Sequence, residues 1–351
     1  VFKAEAEIDP TKILHFYLDN SFKGDKTKKL LREYVVHADL LPVTIRLWRV
    51  PSKYSLVYEI DYPDIGIGTF AVLESLKGEL ANRMNVNQED IADHEKLAAL
   101  KDRYMAEAYD IIDETFPYVD DVTKKLLSII LVHITYGLGI IEVFLADPAL
   151  EEIVVNTSKY PVTTYHKDFY WIQSNAYLAD EDVIYNYASQ MGRKAGRQLT
   201  SLDPLMDAHL PTGERVNATI SPISSVGNTI TLRKQSSRAL SPLHFVGPNV
   251  KYKIYNFEIG ALLWACMQNE MNIMVVGGTA SGKTSMLNSL LTFLPTNQHV
   301  VTIEDTRELT LPKFMEWNWI PLTTRPPTPE GKGEVTMLDL LMNSLRMRPD
   351  R

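Results

Sequence analysis

The stretch that decides the fold is Met274-Val275-Val276-Gly277-Gly278-Thr279-Ala280-Ser281-Gly282-Lys283-Thr284. It matches the phosphate-loop pattern G-x-x-x-x-G-K-[ST], in which a glycine-rich loop joins a strand to a helix. The apolar run at 273–276 predicts a buried strand before the loop, and residues 285–291 predict a helix after it. A strand, a phosphate loop and a helix in this order indicate a nucleotide-binding α/β fold.

The residue types in the loop suit the binding of phosphate. Gly277, Gly278 and Gly282 allow the backbone to curl so that successive N–H groups face a phosphate at the positive end of a helix dipole. Lys283 is expected to reach the β- and γ-phosphates, and the Thr284 hydroxyl is expected to hold Mg²⁺. The predicted nucleotide-binding residues are Gly277, Gly278, Thr279, Ala280, Ser281, Gly282, Lys283 and Thr284, with Thr284 as the metal ligand.

A second strand is predicted at 299–303, and acidic residues follow it directly. The carboxyl ends of strands in an open α/β sheet face the ligand crevice. Hydrolysis of a γ-phosphate needs a carboxylate or an amide to orient the attacking water, and carboxylates can also hold Mg²⁺. Glu304, Asp305 and Glu308 are therefore the candidate catalytic acids, and the sequence leaves the choice among them open.

Positive charge near the γ-phosphate also promotes phosphoryl transfer. Two arginines in the first part of the chain are candidates for this role. Arg215 lies in the segment 210–216, and Arg233 ends a predicted strand at 229–233. On residue pattern alone, both are more typical of surface arginines.

Composition limits the class of protein. The chain has 351 residues and a formal net charge of −8, and its 45% hydrophobic content is ordinary for a soluble globular protein. The acidic balance argues against a mainly electrostatic grip on nucleic acid or on an anionic bilayer. No apolar run approaches about eighteen residues, so no membrane-spanning helix is expected. The single cysteine, Cys266, excludes an internal disulfide and suits a reducing cytoplasm. A local basic patch at 23–29 is expected to open a solvated helix that ends at Val36.

Four regions are predicted along the chain. Residues 1–115 form an extension of helical and mixed structure. Residues 116–240 form a compact α+β domain of short strands and helices. A linker with proline and glycine follows at 241–253. Residues 254–351 form the first part of the nucleotide-binding domain.

These segments resemble the secretion ATPase superfamily, which powers type II and type IV secretion, type IV pili and the archaellum. The loop at 277–284 resembles that family's phosphate loop, and residues 302–308 resemble its Asp box. The sequence downstream of these two motifs is most similar to that of archaeal GspE-like and archaellum or pilus motor ATPases. The resemblance runs from about residue 115 to the end of the chain, and its further segments lie at 147–153, 203–208, 213–216, 230–234, 323–327, 331–341 and 345–351.

The resemblance implies an α/β, RecA-like phosphate-loop NTPase core preceded by an α+β N-terminal domain. It implies ATP and Mg²⁺ as cofactors and Glu308, or else Glu304, as the Asp-box catalytic carboxylate. It implies that Arg215 and Arg233 close on the nucleotide within a homo-hexameric ring. It places the ring at the cytoplasmic face of the cell membrane, where domain closure over ATP moves a polytopic membrane platform protein. No specific nucleic acid is expected as a partner.

One departure from the family pattern concerns the end of the chain. The family's Walker B acid and histidine box are expected directly after a segment like 348–351, and neither is present. The natural N-terminus is also expected to be missing, because the chain begins at Val1. We therefore expect a truncated RecA-like core in residues 254–351, and little or no ATP hydrolysis by this polypeptide alone.

Three other functions are weighed against the motor. A type IV secretion or DNA-transfer ATPase of the same superfamily differs only in its cargo. A RecA-like nucleic-acid motor is disfavoured by the acidic balance and by the absence of interleaved aromatic and basic residues. A nucleotide-binding scaffold without turnover is disfavoured because Lys283, Thr284 and the acids around Glu304 are intact.

Overall fold

The computed structural model describes residues 15–63, 65–84, 94–234, 241–246, 254–278, 281–325 and 333–351. The chain divides into two compact units, Val1–Lys234 and Gln235–Arg351. Of the predicted linker at 241–253, the structure describes only 241–246, where Pro242–His244 form a 3-10 helix. The remainder of that linker lies outside the described residues. None of the described helices is long and apolar enough to cross a bilayer.

The first unit combines strands and helices. Its described strands are β1 (Phe16–Leu18), β2 (Lys29–Ala38), β3 (Leu41–Arg49), β4 (Val57–Asp61), β5 (Leu150–Val155), β6 (Thr163–His166), β7 (Tyr170–Ser174), β8 (Ala176–Leu178), β9 (Leu205–His209), β10 (Arg215–Thr219) and β11 (Thr229–Arg233). Its described helices are α1 (Ile67–Arg83), α2 (His94–Thr115), α3 (Asp121–Thr135), α4 (Ile141–Ala146) and α5 (Glu181–Lys194).

Nine of these strands form one sheet in the order β2-β3-β4-β7-β6-β5-β11-β10-β9, and β1 pairs separately with β8. Neighbouring strands of the large sheet are antiparallel except β4 and β7, which pair in parallel at Tyr58 and Ser174. The buried Asn175 continues this pairing, because its side-chain amide bonds to the backbone N–H and C=O of Ile60. The strands of the predicted extension and those of the predicted α+β domain therefore share one sheet.

The hydrophobic pattern of the sequence explains these elements. Along β3, Val43, Ile45 and Leu47 are fully buried, whereas the residues between them are partly exposed. This period of two is typical of a strand with one covered face. Helices α3 and α5 begin after Asp120 and Asp180, whose carboxylates accept backbone N–H groups as N-caps. Helices α1, α2 and α3 share a second apolar core beside the sheet.

The helix predicted from the basic patch at 23–29 to Val36 is wrong. Lys29–Ala38 form strand β2, which pairs with β3 through a tight turn at Asp39 and Leu40, both with positive φ. Lysine-rich sequence has only a weak preference for helix. The adjacent apolar strand β3 supplies hydrogen-bond partners along the length of β2, and this pairing outweighs local propensity.

The second unit contains the phosphate loop. Its described helices are α6 (Phe257–Gln268), α7 (Lys283–Leu291) and α8 (Met337–Ser344), and its described strands are β12 (Val300–Glu304) and β13 (Trp319–Thr323). The two strands pair in parallel, and a 3-10 helix at Lys313–Asn318 lies in the connection between them. The core of this unit consists of Met267, Leu290, Leu291, Leu294, Val300, Leu309, Leu311 and Met315.

The buried strand predicted at 273–276 is also wrong. The described residues 271–278 form no strand, and Met274 and Val276 are 86% and 77% exposed. A strand needs a neighbour for its N–H and C=O groups. The two described strands of this unit, β12 and β13, pair with each other instead. The predicted helix after the loop does form, as α7.

One buried carboxylate joins the two parts of the large sheet. Asp147 is fully buried at the corner between α4 and β5. It accepts hydrogen bonds from the hydroxyls of Tyr34 on β2 (2.7 Å) and Tyr58 on β4 (2.6 Å), and from the N–H of Ala149 (2.8 Å). Burial, together with the charge of Asp147, raises the pKa of both tyrosines, so they stay protonated and donate. The three donors offset the cost of burying this charge.

Removal of one tyrosine hydroxyl should weaken this corner. Tyr58→Phe is expected to lower the free energy of unfolding by about 1.5–3 kcal/mol, because a hydrogen bond to a buried charged group is lost. Tyr54→Phe removes a hydroxyl from a fully exposed side chain and should have no effect. Denaturant unfolding measures the difference, and a Tyr58→Phe protein as stable as the Tyr54→Phe control would contradict this role of Asp147.

Candidate functional site

The phosphate loop leads directly into α7, whose N-cap is Gly282. Gly282 has a φ of 88°, in the left-handed region that glycine adopts without strain. The first N–H groups of α7 have no partner within the helix, as at any helix N-terminus. Lys283 Nζ donates to the carbonyl oxygens of Gly277 (2.9 Å) and Gly278 (2.5 Å). The lysine therefore spans the loop from the helix back to its first glycines.

Gly277 and Ser281 approach each other closely in the described part of the loop. A Cβ added at Gly277 would lie 2.6 Å from Ser281 Oγ, and that hydroxyl donates to the carbonyl of Gly278 at 2.8 Å. Thr284 is partly buried in the first turn of α7. Amide donors, one lysine and one hydroxyl fit a polyphosphate with its Mg²⁺. Two of the predicted loop residues lie outside the described residues: Thr279 and Ala280.

The three candidate acids have different surroundings. Glu304 is 9% exposed at the end of β12, and its Oε2 accepts the backbone N–H groups of Glu308 (2.8 Å) and Leu309 (2.9 Å). This carboxylate therefore holds the turn that follows β12. Asp305 is exposed and accepts from Thr324 Oγ1 at 3.2 Å, whereas Glu308 is partly buried.

Asn288, which the sequence analysis missed, ties this acidic turn to the phosphate-loop helix. It is buried on α7, donates from Nδ2 to the C=O of Glu308 (3.0 Å) and accepts at Oδ1 from the N–H of Thr310 (2.9 Å). The backbone at Glu308 is thereby fixed to the helix that begins with Lys283. Asparagine is a weak helix former, which is the one local sign that this position has another role.

The predicted arginines lie side by side on the exposed face of the large sheet. Arg215 on β10 is directly opposite Arg233 on β11 and His209 on β9. Directly opposite residues of antiparallel strands project from the same face, with Cβ atoms about 4.5–5.5 Å apart. We call His209, Arg215 and Arg233 the basic row. The sequence analysis named both arginines but missed His209, because strand register is not written in the local sequence.

Asp207 orients one member of the basic row. Its carboxylate oxygens accept from Arg215 Nε (2.9 Å) and Nη2 (2.6 Å) in a bidentate pair. The hydrogen bond from Arg215 lowers the pKa of Asp207. Burial, followed by the charge of Arg215, lowers the pKa of His209. Near pH 7, His209 is therefore mainly neutral, and the two arginines carry the charge of the row.

Loss of the Asn288 side chain should release the backbone near Glu308. Asn288→Ala is expected to lower stability by about 1–3 kcal/mol, because a buried donor and a buried acceptor lose their partner. Amide hydrogen exchange at Thr310 should accelerate in this variant. Asn297→Ala changes an exposed asparagine of the same unit and should leave that exchange unchanged. Wild-type exchange at Thr310 in Asn288→Ala would show that the contact does not hold the turn.

Comparison with known proteins identifies relatives of this chain. An uncharacterized Methanocaldococcus jannaschii protein, MJ0781, is 32% identical over 330 residues, which cover 92% of this chain and 43% of that protein. The type IV secretion system protein VirB11 of Bartonella quintana is 27% identical over 241 residues, covering 60% of this chain and 66% of that protein. This chain thus spans less than half of the first relative and about two thirds of the second.

A solved structure and a family model extend the comparison. The VirB11 ATPase of the Brucella suis type IV secretion system, crystallised with sulphate, is 28% identical. The match covers 58% of this chain and 63% of that one, with a TM-score of 0.24. Residues 137–351 match the model of the family described as type II/IV secretion system protein. Because this match spans more than half of the chain, the protein belongs to the type II/IV secretion system protein family.

Proposed function

We propose that the whole protein is an ATP-hydrolysing motor that powers protein secretion or the assembly of a type IV pilus-like or archaellum filament. The observation that carries this proposal is the link between the phosphate loop and the acidic turn. Helix α7 begins at the loop and fixes the backbone of Glu308 through Asn288. Phosphate-binding groups and a carboxylate that can orient water are the parts that phosphoryl transfer to water requires. Membership of the family supports the same activity.

In the proposed mechanism, the residues of the chain have separate roles. The loop amides and Lys283 bind the β- and γ-phosphates, and Thr284 holds Mg²⁺, which neutralises phosphate charge when bound. Glu308 orients the attacking water and accepts its proton. The bond from water to the γ-phosphorus forms as the bond to the β-phosphate oxygen breaks. Glu304 keeps the turn in place by accepting two backbone N–H groups.

The arginines of the basic row complete the proposed mechanism. Arg215 and Arg233 stay charged at any physiological pH and can bind phosphate oxygens through two N–H groups at once. Such groups stabilise the charge that spreads over the phosphate oxygens in the transition state. We propose that both arginines close on the nucleotide during turnover, with Arg215 held in orientation by Asp207.

We further propose that the protein works as a homo-hexamer at the cytoplasmic face of the cell membrane and acts on a polytopic platform protein. The family match supports this setting. A type IV secretion ATPase of the same superfamily is the second candidate, and the similarity to VirB11 favours it. The two functions differ in the cargo that the motor moves, so co-purification of the platform protein and its cargo distinguishes them.

The RecA-like core is proposed to be completed, in the whole protein, by chain outside these 351 residues. Met274 and Val276 are exposed ahead of the loop. Arg351 lies beside β12 in a parallel-strand pattern, donating to the C=O of His299 (3.1 Å) and accepting from the N–H of Val301 (2.8 Å). We expect residues 1–351 alone to hydrolyse ATP slowly. Equal kcat values for these residues and for the whole protein would contradict that expectation.

ATP turnover by the whole protein tests the catalytic residues. Lys283→Ala should lower kcat by about a hundredfold or more, because a cation at the phosphates is lost. Glu308→Gln should lower kcat by about 10²–10⁴-fold, because the general base is lost. Glu316→Gln, at an exposed position of the same unit, is the matched control and should keep wild-type turnover.

Glu304→Gln separates the two assignments of the base. Its expected effect is lower thermal stability, because the acceptor of two backbone N–H groups loses its charge. Wild-type turnover in Glu308→Gln combined with its loss in a folded Glu304→Gln protein would move the base to Glu304. ATP binding by the wild-type whole protein without any turnover would instead favour a scaffold.

The basic row has its own test. Arg215→Ala and Arg233→Ala are each expected to lower kcat by about 10³-fold or more, with a smaller effect on ATP affinity, because arginine stabilises charge that develops in the transition state. Arg193→Ala, at an exposed position on α5, is the control. Steady-state kinetics and nucleotide-binding titrations separate the two quantities. Unchanged kcat in both row variants would exclude the arginines from the mechanism.

A further inference from the structure

The first unit contains a cavity of about 280 Å³ that the proposed hydrolysis does not use. It lies among the end of α3, helix α4, the end of α5 and the turn that joins β9 to β10. Its apolar wall consists of Val132, Leu138, Leu145, Met191, Leu210 and Pro211. A mainly apolar wall with a few polar groups is the usual form of a small-molecule site.

Lys194 is a cation of this wall that forms no close ion pair among the described residues. Its ammonium donates to the C=O of Tyr136 at 3.0 Å and lies 4.2 Å from the centre of the Tyr136 ring. Among the described residues, no carboxylate oxygen lies within 4.0 Å of the Lys194 ammonium nitrogen, which is the distance limit for an ion pair. An ammonium has three donors, so capacity for a further hydrogen bond is left. Burial lowers the pKa of Lys194, and the negative charges of Glu142 and Glu214 act in the opposite direction.

The negative charge of Asp39, another residue of the wall, is already paired within the fold. The Asp39 carboxylate accepts from Lys101 Nζ at 2.7 Å and from His133 Nε2 at 2.9 Å. His133 is 1% exposed, and its Nδ1 is buried without a hydrogen-bond partner among the described residues. The charge of Asp39 is therefore balanced within the fold.

Two further carboxylates limit the charge of a ligand. Glu142 accepts the backbone N–H of Leu138 at 2.9 Å, and Glu214 accepts the hydroxyl of Thr212. Both line the cavity, and neither forms an ion pair with Lys194. These carboxylates repel every negative charge in the cavity, so they favour a ligand with a single carboxylate placed directly on Lys194.

We propose that this cavity binds a small monocarboxylic acid with an apolar body, with its carboxylate on Lys194 and its body against the apolar wall. The ligand's carboxylate gives Lys194 a close ion pair in a partly desolvated site, where a charge-assisted hydrogen bond is stronger than at the surface. The turn at 210–214 forms part of the wall. A bound acid therefore contacts the turn that connects the strands of His209 and Arg215.

Hexanoate binding to the intact protein tests the proposal, with methyl-labelled Met191 as the reporter in the cavity wall. Hexanoate should shift the Met191 methyl resonance saturably. Hexanol and hexylamine have the same apolar body and should bind at least about tenfold more weakly. Lys194→Met should weaken hexanoate binding by about tenfold or more, and Lys194→Arg, which keeps the charge, should retain it. Lys125→Met, at an exposed position on α3, is the matched control and should bind like wild type.

A folding reporter and a second variant distinguish loss of the binding site from loss of the folded structure. The methyl resonance of the core residue Met206 reports whether Lys194→Met is folded. Leu145→Phe narrows the cavity while Lys194 is kept, and it should also weaken hexanoate binding. The absence of a saturable shift at Met191 would overturn the proposal. Equal affinity of wild type and folded Lys194→Met for hexanoate would overturn it too, as would equal affinity of wild type for hexanoate and hexanol.

Discussion

The buried carboxylate of Asp147 is the constraint on which the larger unit depends. Moving a charge out of water costs several kcal/mol unless hydrogen bonds satisfy it. Its donors come from three places, Tyr34 on β2, Tyr58 on β4 and the N–H of Ala149. The family model begins at residue 137, yet two of these donors precede it. The strands before that point are therefore part of the same folded unit, and their detachment would leave a buried charge without donors.

Hydrogen bonding to the backbone also identifies the side chains that hold the acidic turn near the phosphate loop. Glu304 uses one carboxylate oxygen for two backbone N–H groups, and Asn288 uses its whole amide for backbone partners. Both side chains shape the acidic turn. Glu308 lies in this turn, and the proposed chemistry is assigned to its carboxylate.

In the first unit, Lys194 is a partly buried cation that forms no close ion pair among the described residues. Neighbouring polar groups of the cavity have partners within the fold, as Asp39 does with Lys101 and His133. An ammonium that is kept partly buried without a carboxylate lowers stability, because the fold does not repay its lost hydration. A ligand that forms an ion pair with this ammonium would offset that loss of stability. The cavity wall includes part of the turn between β9 and β10, the strands that carry His209 and Arg215.

Local patterns were sufficient for the helix after the phosphate loop and for strand β12 with the acidic residues at its end. Each of these depends on residues within a few positions of one another, so composition and spacing specify it. The two arginines were named through a resemblance, and the sequence did not place them together.

Contacts between distant residues decided the rest. Lys29–Ala38 became a strand because β3 lies beside it, and 273–276 did not because β12 and β13 pair with each other. The role of Glu304, the clamp at Asn288 and the addition of His209 to the basic row were likewise set by partners far along the chain or on another strand. The sequence by itself determined which chemical groups this protein has, because local geometry needs only neighbours. Only the tertiary structure decided which of those groups are committed to the fold, because hydrogen-bond partners and burial come from residues that sequence spacing does not bring together.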